Sequence, residues 1–271
     1  MAQQRQLAIV EQRVATGRLR WLTLAAPGLA QRIRAGQYLL VRCAAEGSYD
    51  PLLRRALLVA AAEPALGQIG LLYAPTDRGL AWLAHRRPGD VLDVIGPLGH
   101  PFTINERTGT LLLIGQGQGL AALLLLAREA VGRGRSVTLL AGAVSADELL
   151  PPFLLPAEVE YQSIAGLRIA DFRSQIAQAG AESTIYNLRS AIAWADQVCA
   201  ALPDDQLAAL GAAIRDVKYR WERGFASALL EGPIVCGVGA CGVCAVALRK
   251  GQRLLCSDGP VFDLRDVVWN T

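Results

Sequence analysis

Four cysteines near the carboxyl end constrain this chain more than any other feature. The segment CGVGACGVC from Cys236 to Cys244, followed by Cys256, has the spacing C-x4-C-x2-C-x11-C. Four thiolates give each iron of a [2Fe–2S] rhomb two ligands, and the C-x4-C-x2-C start is typical of plant-type ferredoxins. We therefore predict a [2Fe–2S] cluster on Cys236, Cys241, Cys244 and Cys256.

The residues between these cysteines favour a cluster-binding loop. Gly237, Gly239 and Gly242 can adopt left-handed backbone angles, so that the loop can turn its amides towards sulfur. A structural zinc site is the alternative, although zinc ribbons usually combine two C-x2-C pairs in hairpins of another shape. The other two cysteines, Cys43 and Cys199, stand alone in apolar segments and are predicted to be buried structural thiols.

The overall composition narrows the function classes. The chain has 271 residues, 52% of them hydrophobic, which is enough for two or three compact domains. A net charge of +3 without a long basic run argues against nucleic-acid binding, and only two histidines disfavour histidine-based catalysis. The polar amino terminus lacks a signal-peptide core, and no stretch reaches the ~20 apolar residues of a membrane span. We expect a cytoplasmic protein without a membrane partner.

The first hundred residues show short apolar segments separated by glycine and proline turns. Six strands at this spacing, with a short helix from Gly79 to His85, predict a small antiparallel β-barrel. The predicted strands are Leu7–Val14, Leu19–Leu24, Tyr38–Cys43, Arg55–Ala61, Gln68–Tyr73 and Val91–Ile95.

Beyond residue 109 the pattern changes. The run from Leu111 to Ile114 is continuously apolar, as expected for a parallel strand covered on both faces. Strands and helices then alternate, which predicts an open α/β sheet. The further strands are Ser136–Ala141, Val159–Ile164 and Gln197–Ala201, and the helices are Leu120–Val131, Ala170–Gln178 and Asp204–Trp221.

Together these patterns predict an α+β chain of several domains. We expect the antiparallel β-barrel over residues 1–104 and an open α/β domain of the nucleotide-binding type over residues 105–228. A [2Fe–2S] lobe that ends in a polar, strand-like tail is expected over residues 229–271.

A glycine loop follows the apolar strand and opens the next helix. Gly115, Gly117 and Gly119 alternate there with glutamines. Free amides and the dipole at a helix N-terminus favour a phosphate, so the loop is a candidate for dinucleotide contact. However, the third glycine comes one position earlier than in G-x-G-x-x-G, and such loops also permit close strand-to-helix packing. Both interpretations remain open at this point.

The order of barrel, α/β domain and ferredoxin-type cysteines resembles the electron-transfer subunits of two-subunit dihydroorotate dehydrogenases, within the ferredoxin reductase superfamily. The resemblance covers nearly the whole chain. Its most specific part is the cysteine segment together with the stretch CSDGPVF from Cys256 to Phe262. Other segments that look like family motifs are Pro88–Asp90, Gly96–Gly99, Gly115–Ala122 and Ala195–Val198.

This resemblance implies a flavoprotein with FAD in the barrel and NAD on the α/β domain, in which the flavin releases single electrons to the cluster. Arg55 would suit a diphosphate, because a guanidinium binds it in a forked manner. An exposed surface arginine and a core aromatic residue are the alternatives for Arg55 and Tyr73. The implied flavin contacts are Arg55, Ala56, Leu57, Leu58, Leu72, Tyr73, Ala74, Gly79 and Leu80, and the implied dinucleotide contacts are Gly115, Gly117 and Gly119.

Three positions depart from the family's pattern. The family usually has serine or threonine where this chain has Leu58, and Gly-Thr where it has Gly79-Leu80. It has Cys-Gly-Pro after the strand where this chain has the run from Ala200 to Pro203. The first two changes remove hydroxyls that would bond flavin or phosphate. The third removes a thiol and a glycine beside the nicotinamide.

The resemblance implies an oxidoreductase subunit of pyrimidine biosynthesis that has no catalytic residue of its own. It would pass electrons from the flavin of a catalytic dihydroorotate dehydrogenase-type partner through the cluster to FAD and on to NAD, within a hetero-oligomer such as a heterotetramer. Two alternatives remain. The same module could serve a hydrogenase, a sulfite reductase or a ferredoxin–NADP oxidoreductase. It could also be a cluster-only relay or scaffold that has lost FAD and NAD, which the changes at Leu58, Leu80 and Ala200 would favour.

Overall fold

The computed structural model describes residues 3–165 and 188–268. Its strands are β1 (Gln3–Thr16), β2 (Leu19–Ala25), β3 (Tyr38–Val41), β4 (Arg55–Glu63), β5 (Gln68–Tyr73), β6 (Val91–Leu98), β7 (Thr110–Gln116), β8 (Ser136–Ala143), β9 (Glu160–Ala165), β10 (Gln197–Ala201), β11 (Ala226–Leu229), β12 (Ala245–Leu248), β13 (Gly251–Leu254) and β14 (Val261–Asp263). Its α-helices are α1 (Pro27–Ala30), α2 (Arg78–Ala84), α3 (Leu120–Val131), α4 (Leu188–Trp194) and α5 (Asp204–Val217). Single 3-10 turns occur at Gly117–Gly119, Ala146–Glu148 and Pro152–Leu154.

The first six strands close into an antiparallel barrel in the order β1-β2-β5-β4-β3-β6. Along β6, buried residues alternate with more exposed ones, as expected for a strand with one face on a core. Leu22, Leu39, Val59 and Leu71 are fully buried and help to fill the barrel interior. The predicted barrel is therefore confirmed, with β1, β2, β4 and β6 extending beyond their predicted ends and β3 ending at Val41, two residues before the predicted Cys43.

The central sheet has the strand order β14-β11-β10-β7-β8-β9, and all neighbours are parallel except β14 and β11. The apolar run of β7 is buried on both faces, and α3 packs between the sheet and β4 of the barrel. Helix α5 ends at Val217, four residues before the predicted Trp221, because Lys218 takes an extended backbone (φ −106°, ψ 92°). The helix predicted at Ala170–Gln178 lies outside the described residues.

The cysteine-bearing lobe leaves the central sheet after β11 and returns to it as β14. It contains the hairpin β12–β13, and its two stems pair through Leu229 with Val261. The Leu230 amide also donates to the Pro260 carbonyl at 2.9 Å. On the barrel side, the His100 amide donates to the Gly259 carbonyl at 2.6 Å. The lobe is thus held against both other units, and the domain boundaries at residues 104 and 228 stay a prediction.

Candidate iron–sulfur and flavin site

The four cysteines of the lobe form two thiol pairs. The sulfurs of Cys244 and Cys256 lie 3.3 Å apart, and the side chains of Cys236 and Cys241 are in hydrogen-bond contact. Within residues 3–165 and 188–268, no three His, Cys, Asp or Glu side chains are grouped as they would be around one metal ion. Because a [2Fe–2S] cluster has two irons and four thiolate ligands, the residues present fit a binuclear cluster with one pair for each iron.

Backbone amides make the two pairs electrostatically different. The amides of Val238 and Cys241 donate to the Cys236 sulfur and lower the pKa of that thiol to about 6. Burial, with Cys244 as a close neighbour, raises the pKa of Cys256 to about 11, although the Gly239 amide donates to its sulfur at 3.2 Å. Cys241 is exposed, whereas Cys244 and Cys256 are buried. One pair therefore faces the surface and the other faces the protein interior.

The glycines of the cysteine loop have the conformations that the sequence suggested. Gly237, Gly239 and Gly242 have φ values of +73°, +77° and +70°. A Cβ at Gly237 would lie 2.8 Å from Leu40 Cδ1 and 2.9 Å from Leu98 Cδ1, so no side chain fits where the loop meets the barrel. The glycines thus permit both the turns around sulfur and the close approach to β3 and β6.

A cleft of about 190 Å³ lies where the barrel, the glycine loop and the cysteine lobe meet. Its barrel wall contains four of the predicted flavin contacts, Ala56, Leu57, Leu58 and Leu72, together with Tyr38. The side chains of this barrel wall are apolar apart from the Tyr38 hydroxyl, and apolar walls suit a flat aromatic ring. The barrel wall of the cleft therefore fits the ring system of a flavin.

The predicted diphosphate contacts are paired with a carboxylate of the chain itself. Asp77 accepts hydrogen bonds from the amides of Gly79 (2.7 Å) and Leu80 (3.0 Å), and its other oxygen lies 2.9 Å from Arg55 Nε. Partial burial acts to raise the pKa of Asp77, but these donors outweigh it and leave that pKa lowered. A bound diphosphate would compete with this carboxylate for the two amides and for one of the Arg55 donors.

Sequence reasoning missed Asp77, although a signal was present. An aspartate directly before a helix commonly caps it, and Asp77 immediately precedes α2. By contrast, the Tyr73 side chain is buried in the hydrophobic core. It is 2% exposed, it accepts a hydrogen bond from Gln12 at 3.1 Å, and burial raises its pKa to about 12.

Packing accounts for two of the three loop glycines. A Cβ at Gly115 would lie 2.5 Å from Leu123 Cδ1, and a Cβ at Gly119 would lie 2.6 Å from Ala201 Cβ. Only Gly117 has a positive φ, +64°, with open space around it. The loop therefore keeps a free turn at Gly117, while Ala201 fills the space on the sheet side.

A carboxylate also meets the glycine loop. The Gly119 amide donates to Glu231, which lines the cleft. Glu231 keeps solvent access, but protein atoms crowd its carboxylate, and this crowding together with nearby Asp204 raises its pKa despite the amide. An anionic nucleotide would meet negative charge at this loop.

Ala200, Ala201 and Leu202 follow one another at the end of β10 and are buried. The position at which the family has a thiol therefore has an apolar side chain in this chain.

Comparison with known proteins identifies the family of this chain. A family profile for the iron-sulfur cluster binding domain of dihydroorotate dehydrogenase B matches residues 231–268. The chain is 31% identical, over 267 residues and 97% of both chains, to the dihydroorotate dehydrogenase B (NAD(+)) electron transfer subunit of Geobacillus thermodenitrificans. The chain belongs to this family. The dihydroorotate dehydrogenase B electron transfer subunit of Shouchella clausii is 33% identical over 239 residues, 86% of each chain. The membership indicated by the cysteine segment and the motifs is confirmed.

Solved structures agree on the fold. A structure of the NADH-dependent reduced ferredoxin-NADP oxidoreductase superposes with a TM-score of 0.76 at 23% identity, covering 97% of this chain and 90% of that one. Phthalate dioxygenase reductase superposes with a TM-score of 0.59 at 16% identity, covering 93% and 94%. The ferredoxin-reductase-like fold class is confirmed. In the described part of the chain, no helix is long and apolar enough to span a bilayer.

Proposed function

We propose that this chain is the electron-transfer subunit of a dihydroorotate dehydrogenase B. The proposal rests on one observation: the lobe holds two thiol pairs and also lines a cleft together with the barrel and the glycine loop. The chain passes electrons from a catalytic partner subunit through a [2Fe–2S] cluster to FAD and on to NAD, in pyrimidine biosynthesis. When bound, the cluster supplies one-electron transfer and the flavin exchanges one-electron for two-electron chemistry.

The chain's own residues hold and tune these groups. Cys236, Cys241, Cys244 and Cys256 bind the irons as thiolates. The amides that donate to Cys236 and Cys256 would stabilise negative charge on a bound cluster. The apolar side chains of the barrel wall would orient the flavin ring. The proposed flavin contacts are Arg55, Ala56, Leu57, Leu58, Leu72, Tyr73, Ala74, Gly79 and Leu80, and the proposed dinucleotide contacts are Gly115, Gly117 and Gly119.

The exposed end of the cysteine loop is the proposed point of electron exchange with the partner. Val238 and Val243 flank the exposed Cys241 and are 65% and 52% exposed. Apolar residues around a cluster ligand suit docking of a catalytic dihydroorotate dehydrogenase-type subunit, here in a hetero-oligomer such as a heterotetramer. The complex is proposed to work in the cytoplasm, with the chain divided at residues 104 and 228.

Purification with the catalytic subunit under oxygen-free conditions tests the proposal. We expect FAD, about two irons and two inorganic sulfides for each chain, as a [2Fe–2S] cluster requires, and NAD reduction when dihydroorotate is added. Wild-type complex is compared with catalytic subunit alone, which should bind no iron and reduce no NAD. A colourless, iron-free chain, or one that contains zinc, would contradict the proposal.

A second candidate is a relay that carries electrons through the cluster without a nucleotide of its own. The pairing of Arg55 with Asp77 and the filling of the sheet side by Ala201 favour it. Flavin extraction decides between the two. A brown protein with cluster absorbance but no extractable flavin would favour the relay, whereas stoichiometric FAD would exclude it.

A further inference from the structure

Tyr38 is the one cleft-lining residue described that also donates a hydrogen bond to a predicted cluster ligand. It begins β3, it is 1% exposed, and its ring lines the cleft. Its hydroxyl donates to the backbone carbonyl of Cys256 at 3.4 Å. The side chain therefore reaches from the barrel wall to the backbone of Cys256.

The surroundings of Tyr38 hold its ring in one place. A Cβ at Gly99 would lie 2.9 Å from Tyr38 Cε1 and 2.7 Å from Pro260 Cδ, so Gly99 makes room for the ring and the lobe together. Tyr38 also packs with Leu40 and Leu98, the residues on which Gly237 rests. The barrel thus contacts the lobe at both Gly237 and Pro260, and Tyr38 takes part in the second contact.

We propose that Tyr38 is a positioning residue for the cluster: its hydroxyl holds the Cys256 carbonyl, and its ring packs where Gly99 meets Pro260 of the lobe. This inference rests on the proposed function, because it requires that the cluster is bound. A hydrogen-bond donor offsets the partial negative charge of the carbonyl oxygen to which it donates. Because less negative charge then faces the metal site, the reduced, more negative state of the cluster is stabilised. A packed ring at the same place limits movement of the segment that carries Cys256.

Two variants separate the hydroxyl from the ring. Tyr38→Phe removes only the donor, whereas Tyr38→Met fills the space without a donor or a ring. Tyr161→Phe is the matched control, because the Tyr161 hydroxyl also donates to a backbone carbonyl, that of Leu150 at 2.6 Å, in the α/β domain. For each chain, purified with its partner, we would measure iron and sulfide content, the cluster reduction potential by EPR-monitored titration, and the rate of iron release to a chelator.

We expect Tyr38→Phe to keep its iron and to have a more negative cluster potential than wild type. Tyr38→Met should in addition release iron about tenfold to a hundredfold faster, the usual cost of losing an outer partner of a metal ligand. Tyr161→Phe should match wild type in both measurements. If Tyr38→Phe fails to fold, the release rate and potential of Tyr38→Met decide.

Two results would overturn the inference in distinguishable ways. Iron-replete Tyr38 variants with wild-type potential and release rate would overturn the role of Tyr38 and leave the cluster in place. A wild-type chain that holds no iron would overturn the proposed function, and this inference with it.

Discussion

The cysteine loop and the glycine loop are both rich in glycine, but glycine is required in the two loops for different physical reasons. In the cysteine loop, Gly237, Gly239 and Gly242 all have positive φ, and the Gly239 amide points at sulfur. In the glycine loop, Gly115 and Gly119 have ordinary backbone angles, and neighbouring side chains occupy the space that a Cβ would need.

This difference shows when a glycine-rich motif indicates a binding site and when it does not. A glycine that is required for left-handed turns around a ligand indicates a binding loop. A glycine that is required for close packing indicates only a tight strand-to-helix junction. The cysteine loop therefore carries a stronger functional signal than the glycine loop, whose phosphate-binding role depends on Gly117 and on the Gly119 amide, which already donates to Glu231.

The largest effect is expected from Cys241→Ser in the cysteine loop. An alkoxide replaces one of four soft thiolates, so the cluster should be lost or badly damaged. Iron and sulfide analysis with visible absorbance checks this. Cys199→Ser is the control, because Cys199 is buried in β10 and contacts Ser227 rather than the other cysteines. A Cys241→Ser chain with a full iron complement and an unchanged spectrum would refute the ligand assignment.

In the glycine loop, Gly119→Ala should act through packing. Its new Cβ would lie 2.6 Å from Ala201 Cβ, so we expect the free energy of unfolding to fall by about 1–3 kcal/mol, as for other overpacked sites. Denaturant unfolding measures it, and Ala201→Gly in the same chain should recover part of the loss.

Gly211→Ala in α5 is the matched control. There the nearest atom to a new Cβ is Arg215 Nη1 at 3.8 Å, so alanine should stabilise the helix by about 0.5–1 kcal/mol. Equal effects at Gly119 and Gly211 would show that packing does not distinguish the glycine loop.

Asp77→Ala tests the carboxylate that occupies the predicted diphosphate contacts. Loss of the helix cap should cost about 1 kcal/mol at neutral pH, and Asp77→Asn should cost less because asparagine also caps helices. Since the pKa of Asp77 is lowered in the folded chain, its charge stabilises the fold above the ordinary carboxyl pKa, and this contribution disappears as pH falls through the folded value.

Thermal unfolding from neutral to acidic pH measures this dependence. The gap between wild type and Asp77→Asn should therefore close below a pH of about 4. A gap that widens on acidification would contradict the assigned role of Asp77. If the carboxylate competes with a diphosphate, Asp77→Asn should also bind FAD more tightly than wild type does.

The smallest effect is expected from Glu231→Gln. Removing one partly screened charge beside the Gly119 amide should lower the KM for NADH by about two- to fivefold. Steady-state NADH oxidation by the complex measures it, with the exposed Glu158→Gln as the control. An unchanged KM would indicate that the nucleotide does not approach this loop.

Local patterns predicted much of this molecule because they are decided by neighbours in sequence. The apolar run of β7, the helix α3 and the cysteine spacing each carry their own signal. What could not be predicted depends on distant partners. The tail has the sequence pattern of a polar strand, but its pairing with β11 is long-range. The contacts of Tyr38 with Cys256 and of Gly119 with Ala201 are also long-range. The ion pair between Arg55 and Asp77 is long-range too, because it forms only when β4 and the start of α2 come together.

The return of the lobe to the central sheet has a consequence for repair. Backbone pairing of Leu229 with Val261, and the bond between Leu230 and Pro260, close the lobe at its base without using any cysteine. Oxidative destruction of the inorganic core would thus leave the stems joined and the barrel and sheet folded. A chain that has lost its cluster would therefore keep the closed base of the lobe, into which a new cluster can be built.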